Sequence, residues 1–201
     1  MEMKKIVIAT HNRHKLIEMK EILKDLSYEF LGLEHFPDIH DIEETGDTLI
    51  ENSLIKARTV HKITGYPAIG DDTGLEVDFL NGAPGVKSAR FAGEDAKPNE
   101  NVELLLQKLK DVPDNERTAR FRTVISFVTA NNEKWVEGIA EGKITEKPVG
   151  NSGFGYDPIF YFSPLTRTFA ELSMDEKNKI SHRGLALEKF RILLGNFNLE
   201  E

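Results

Sequence analysis

The chain contains no cysteine. Disulfide staples, thiolate zinc sites and a cysteine nucleophile are therefore excluded. Positive charge is also short: 26 Lys and Arg stand against 34 Asp and Glu, a net charge of -8. A nucleic-acid-binding surface rests on a basic footprint, so this balance speaks against a nucleic-acid partner. It suits a soluble protein of the cytoplasm, or one that holds a divalent cation through carboxylates. Long apolar runs are missing as well. The first ten residues carry only Ile6-Val7-Ile8-Ala9, too short for a secretion signal or a membrane span, so no membrane partner is expected. No Gly-x-Ser-x-Gly elbow, His-Glu-x-x-His helix or Gly-x-Gly-x-x-Gly turn occurs, which leaves acyl transfer and hydride transfer without support. There is no internal repeat, linker or low-complexity segment.

What is present is a chain of 201 residues, 39% of them apolar, enough to build a substantial core. Lys4–Thr10 reads as a buried strand, and Leu16, Met19, Leu23 and Leu26 recur at helical spacing across Arg13–Leu26. Tyr28–Leu33 fits a second strand. Thr48-Leu49-Ile50-Glu51 fits a capping box, opening a helix whose stripe of Ile50, Leu54, Ala57 and Val60 runs to Gly65. Asn52 and Lys56 fall on the opposite face of that helix, where a lysine is ordinarily solvated. Pro67–Gly70 and Leu75–Leu80 read as strands on either side of Asp71-Asp72-Thr73-Gly74, a composition suited to a turn. Asn99–Lys110 forms an amphipathic helix. Arg117–Ala130 and Lys134–Thr145 form a long antiparallel hairpin about Asn131-Asn132. A glycine-rich loop, a strand at Asp157–Phe162, a short capped helix from Ser173 and a closing helix Ser181–Gly195 complete the pattern. Helices interleaved with strands predict an α/β domain around a mixed sheet.

Two helix starts break a local rule. Thr10-His11-Asn12-Arg13-His14-Lys15 and Ser181-His182-Arg183-Gly184 place basic groups where the helix N-terminus already carries partial positive charge. An anion from outside is the natural repair, and phosphate at a strand-to-helix turn is a common one. Lys15 would then act as a point charge on phosphate oxygens, with Thr10 and Asn12 as hydrogen-bond donors. The bland alternative is a solvated basic turn. Adjacent acids at Asp71-Asp72 repel unless a cation or a proton intervenes, so one could hold a metal and the other activate water; plain turn chemistry is the alternative. Glu43-Glu44 precedes a helix start, where acids are favourable in any case. In Gly153-Phe154-Gly155-Tyr156-Asp157-Pro158 two glycines present one aromatic face to a ligand such as a nucleobase, unless the segment is a glycine hairpin over core aromatics. His182-Arg183 could donate to a purine keto oxygen and reject an amine at that place, or form an exposed first turn.

Taken together, Thr10-x-Asn12-x-x-Lys15, Glu43-Glu44-Thr45-Gly46-x-Thr48-x-x-Glu51-Asn52, Lys56-Ala57, Asp71-Asp72-Thr73-Gly74-Leu75, Gly82-Ala83-Pro84-Gly85, Ser88-Ala89-Arg90, Phe154-Gly155-Tyr156-Asp157-Pro158 and Ser181-His182-Arg183-Gly184 occur in this order. The set resembles the inosine triphosphate pyrophosphatase family, from Lys5 to about Leu194. The resemblance implies a single domain over residues 1–201, two-lobed around a long twisted mixed sheet flanked by helices, with an active-site cleft between the lobes. It implies a cytoplasmic homodimer that cleaves the α–β phosphoanhydride of ITP, dITP or XTP with Mg2+, giving monophosphate and pyrophosphate and cleansing the nucleotide pool. By the same resemblance Thr10, His11, Asn12, Arg13, His14 and Lys15 form the phosphate loop, and Lys56 is a second cation. Glu43 and Asp72 bind magnesium, and Asp72 is also the general base beside Thr73. Phe154 stacks on the base, Gly155, Tyr156 and Asp157 line its pocket, and Lys177, His182 and Arg183 read its edge. The chain departs from the family pattern at Thr73, where serine is usual, and at His11, where glycine is common.

Overall fold

Strands β1 (Lys4–Ile8), β2 (Tyr28–Leu31), β3 (Ala68–Val77), β4 (Pro84–Gly85), β5 (Thr118–Val128), β6 (Glu133–Ile144), β7 (Phe160–Phe162) and β8 (Arg167–Thr168) form one sheet in the computed structural model, which describes residues 3–195 and residue 197. Its order is β2-β1-β3-β5-β6-β7-β8, with β4 paired to β3. The sheet is mixed: β1 runs parallel to β2 and β3, whereas β7 is antiparallel to β6 and β8. Five α-helices lie among the described residues: α1 (Arg13–Leu23), α2 (Leu49–Thr64), α3 (Pro98–Lys108), α4 (Met174–Ile180) and α5 (His182–Gly195). The expected mixed α/β architecture is thus present. The chain divides into two compact units. One holds the residues up to Asp72, 123–138 and those from Arg183 on; the other holds 73–122 and 139–182.

In the first unit the alternation of strand side chains sorts everything onto two faces. Ile6 and Ile8 of β1, Ile69 of β3, and Ile125 and Phe127 of β5 pack with Met19 and Leu23 of α1 and with Ala186, Leu187 and Phe190 of α5. Val7, Ala68 and Val128 point the other way, onto Ala57 and Val60 of α2. Helix α2 is defined at both ends: Thr48 and Glu51 form the reciprocal capping box, and Gly65 closes it in the left-handed conformation at φ 72°. The helix sits close on the strand at one point. A Cβ on Gly70 would lie 1.9 Å from the Ser53 carbonyl oxygen. The Ser53 hydroxyl donates to the Gly70 carbonyl at 3.0 Å and is hydrogen-bonded to the Ser126 hydroxyl at 2.8 Å.

The second unit packs α3 through Val102 and Leu105 with Leu75, Val77, Ala119, Phe121, Ile144, Phe160 and Phe169. Arg117 is buried there, but its guanidinium is satisfied by the carbonyls of Leu109, Ile144 and Thr145 at 2.7–2.8 Å. A buried charge is tolerated on such terms because each of its three nitrogens finds a carbonyl oxygen.

The expected turn at Asp71-Asp72-Thr73-Gly74 does not form. Those residues lie inside β3, which runs unbroken from Ala68 to Val77. Turn propensity is a weak local preference, and here burial with compensating charges overrides it. The short strands β4 and β8 are not expected from the sequence; most other differences are at element ends: α1 stops at Leu23 and β2 at Leu31, and Asp157–Ile159 is a 3-10 turn ahead of β7.

Gly70→Ala is expected to destabilise the protein by about 3 kcal/mol, since the new methyl meets helix backbone and not a flexible side-chain end. A urea-unfolding midpoint equal to that of the wild type would contradict this packing.

Candidate active site

Asp71 and Asp72 are consecutive strand residues, so their carboxylates leave the strand on opposite faces. Each meets cations from a different helix. Asp71, fully buried, is paired with Lys15 of α1 and with Arg183 of α5, whose Nε lies 3.3 Å away. Arg183 is completed by Glu18 of α1, at 2.6 Å from Nη1. Burial works against the charged form of Asp71, but Lys15 and then Arg183 hold its carboxyl well below the usual carboxylate range. Burial likewise disfavours the Arg183 cation, which Asp71 and Glu18 more than restore. Burial is also what lowers the Lys15 ammonium from its ordinary value, against the opposing charge of Asp71.

On the other face Asp72 meets Lys56 of α2, Oδ1 to Nζ 3.2 Å, and the same ammonium donates to Glu44 at 2.8 Å. Asp72 Oδ2 is buried and has no hydrogen-bond partner among the described residues. Burial, with Glu44 nearby, raises the Asp72 pKa in spite of Lys56. Lys56 itself is raised, burial being outweighed by Asp72 and Glu44. Three cations (Lys15, Lys56, Arg183) therefore face four carboxylates (Glu18, Glu44, Asp71, Asp72). The surplus negative charge sits at the Lys56 end, where one ammonium serves two acids. No group of three or more His, Cys, Asp or Glu residues among the described residues is arranged to hold a metal by itself.

The turn into α1 is built by its own side chains. Asn12 is the N-cap, its Oδ1 accepting from the His14 and Lys15 amides at 3.0 and 3.2 Å, and the Thr10 hydroxyl accepts from the Asn12 amide at 3.1 Å. The first turn of α1 carries no acid.

In the second unit Asp157 is the organising residue. Its buried Oδ2 accepts from the Phe154 amide at 2.8 Å and from Lys177 Nζ at 2.7 Å. Lys177 in turn lies over the Phe154 ring, 4.7 Å from its centroid, so one face of that ring carries a cation. Gly153 and Gly155 have φ of 75° and 60°, which lets the chain fold around Phe154; a Cβ on Gly153 would strike the Asp157 carboxylate. Tyr156 is buried and donates to the Ser88 carbonyl at 2.9 Å, and that burial pushes its phenol upward. His182 is buried and stacked on Phe121, with ring centroids 4.4 Å apart.

Comparison with known proteins places this arrangement in a family. The Ham1 family profile matches residues 6–193. The chain belongs to the Ham1 family. It is 49% identical over 196 residues to the dITP/XTP pyrophosphatase of Clostridium perfringens, covering 94% of this chain and 96% of that one. A dITP/XTP pyrophosphatase from a Thermoanaerobacter species is 50% identical over 187 residues, covering 93% and 94%. Among solved structures, a HAM1 protein from Coxiella burnetii superposes with a TM-score of 0.89 at 45% identity, covering 97% of this chain and all of its own.

Set against the sequence reading, this Ham1 chain brings Lys15 and Arg183 onto one acid, Asp71, and Lys56 onto Asp72. It groups Phe154, Tyr156, Asp157 and Lys177 around one loop. His11, Asn12, Arg13 and His14 are exposed on the turn, with the His11 ring 3.4 Å from the His40 carbonyl. The mismatched cation at Lys15 is met by an internal counterion, not left for an outside anion alone. Lys56 is buried, not solvated as its polar-face position suggests. Glu43 is exposed, and it is Glu44 that the fold turns onto Lys56. Glu18, a buried acid on a helix otherwise rich in lysine, was not singled out from sequence; its spacing of three from Lys15 on one helix face was the available signal.

Replacing Asp71 by Asn leaves two buried cations without their shared partner, and a loss of about 3–5 kcal/mol is expected. Because the folded pKa of Asp71 lies below its unfolded value, its stabilisation is fully present above about pH 4 and is lost as the pH falls further. Acid-unfolding curves should therefore be steeper for the wild type than for Asp71→Asn. Parallel curves would remove Asp71 from the acid response.

Proposed function

We propose that this chain hydrolyses the α–β phosphoanhydride of deaminated purine nucleoside triphosphates, ITP, dITP and XTP, to the monophosphate and pyrophosphate. Relatives at about half identity over nearly the whole chain carry the name dITP/XTP pyrophosphatase. The observation that carries the reading is Asp72: a buried carboxylate with one oxygen on Lys56 and the other without a partner among the described residues. An oxygen left unengaged in this way is placed to take a proton from water.

Phosphoryl-transfer catalysis is mostly positioning and charge neutralisation, so no covalent nucleophile is required. Asp72 accepts a proton from the attacking water as the new P–O bond forms and the anhydride P–O bond breaks, pyrophosphate leaving with the bonding pair. Lys15 and Lys56, both held by carboxylates, are point charges for the phosphate chain, and the Thr10 hydroxyl adds a donor. The residues present also fit a magnesium ion. The surplus carboxylate charge and the orphaned Asp72 oxygen call for a cation, and magnesium is commonly held by one or two carboxylates with phosphate and water completing its shell. Asp72 with Glu44 or Glu43 would hold it, and when bound it supplies charge neutralisation on the phosphate oxygens. On the base side, Phe154, with Lys177 over its ring, would stack on the base. The purine edge is read by Lys177, His182 and Arg183, with Gly155, Tyr156 and Asp157 shaping the loop and Thr73 beside the general base, Asp72. A homodimer acting in the cytoplasm completes the proposal; no helix among the described residues is long and apolar enough to cross a membrane.

Pyrophosphate release from ITP, XTP and dITP should depend on magnesium and stop with chelator, while ATP and GTP are almost untouched. Equal hydrolysis of all five would retain the phosphate chemistry and remove the reading of the base edge. Asp72→Asn should lower kcat about 10²–10⁴-fold while nucleotide still binds; near-normal turnover would exclude Asp72 as the base. Phe154→Ala should raise KM for ITP about 10–100-fold with a smaller change in kcat, as loss of one stacking contact predicts.

A further inference from the structure

Asn52 is completely buried on α2, one helical turn before Lys56 and on the same face. Its Oδ1 accepts the Gly46 amide at 2.8 Å. That bond fixes the amide orientation: the Gly46 N–H can only donate, so the atom it meets is the carbonyl oxygen and the NH2 group points elsewhere. Among the described residues, Asn52 Nδ2 is buried with no acceptor. An orphaned buried donor is costly, and native structures rarely keep one without a reason. The turn it tethers leads directly from Glu44, which shares Lys56 with Asp72. The tether is close: a Cβ on Gly46 would lie 2.6 Å from Glu51 Cβ and 2.8 Å from Asn52 Oδ1, so only glycine lets the turn sit against the helix.

We infer that Asn52 is a further substrate-binding and positioning residue: its carbonyl oxygen holds the 43–46 turn in place, and its free NH2 donates to an anionic oxygen of the bound phosphate chain beside Lys56. The role rests on the nucleotide-hydrolase reading above. It gives both halves of one side chain a function. The accepting half keeps Glu44 at Lys56, and the donating half finds its acceptor only when ligand arrives, which stabilises the complex without stabilising the empty protein.

The test uses the full chain with the α,β-imido analogue of ITP in excess chelator, so that binding is read without metal or turnover, alongside thermal melting of the ligand-free protein. Asn52→Ala removes both halves. Gly46→Ala displaces the same turn but leaves the donor. Asn52→Asp is isosteric, keeps an acceptor for Gly46 and loses the NH2, and so serves if the alanine variant does not fold. The expected result is an affinity loss of about 10–100-fold in Asn52→Ala and Asn52→Asp, at least tenfold beyond that of Gly46→Ala. Equal losses in Asn52→Ala and Gly46→Ala, or unchanged affinity in Asn52→Asp, would reduce Asn52 to a structural tether and overturn the inference while the enzyme reading stands. A wild-type chain that neither binds the analogue nor hydrolyses ITP would overturn both.

Discussion

Two carboxylates on adjacent residues of one strand must leave it on opposite faces. From that geometric fact the rest of the first unit follows. Each acid is buried and needs its own cation, and each face is covered by different helices. The α1 and α5 side supplies Lys15 and Arg183 to Asp71; the α2 side supplies Lys56 to Asp72. The two acids thereby acquire opposite characters. Asp71, between two cations, is locked in its charged form and organises the protein. Asp72 shares its single ammonium with Glu44, keeps one oxygen unengaged and is shifted toward protonation. Identical side chains, next to each other in sequence, are given different partners by parity alone, which suits Asp71 to a structural part and Asp72 to the chemistry proposed for it.

That separation explains where the sequence could be read and where it misled. Local rules sufficed for α2, whose capping box and terminal glycine both appear as expected, and for the long strands at Thr118–Val128 and Glu133–Ile144, whose branched and alternating residues leave little choice. They failed at Asp71-Asp72-Thr73-Gly74, because the composition of a turn and that of a charged strand interior are the same when the counterions lie far away in sequence. Arg183 is 112 residues from Asp71. The same blindness applied to Lys56 and Asn52, polar residues on what pattern analysis takes for the wet face of a helix, and to Glu18. Periodicity reports which residues avoid water, not which polar residues are drawn inside by a partner. The resemblance to a family was needed to gather the site residues, and the geometry then separated Glu44 from Glu43, gave Asn12 and Tyr156 structural duties that no motif announces, and showed Asp157 fixing its loop, one of the two parts its motif allows.

The second unit uses a different device for the same end. One carboxylate, Asp157, gathers a loop amide and a lysine, and the lysine is laid across the Phe154 ring. Left-handed glycines on either side of the phenylalanine make the tight path affordable to the backbone. The loop's path is thus fixed by its own side chains, which suits the base-binding part proposed for it.

The chain passes between its two units four times, at Asp72-Thr73, Arg122-Thr123, Gly138-Ile139 and His182-Arg183, and the residues proposed for anhydride chemistry and for base stacking fall almost cleanly into separate units. Substitution around Phe154 can drift without disturbing the ion pairs that organise Asp72, and the reverse holds too. A lineage built this way is free to exchange the class of nucleotide it removes while inheriting its hydrolytic step unchanged, so descendants with new base preferences should differ first in the segment from Gly150 to Lys177.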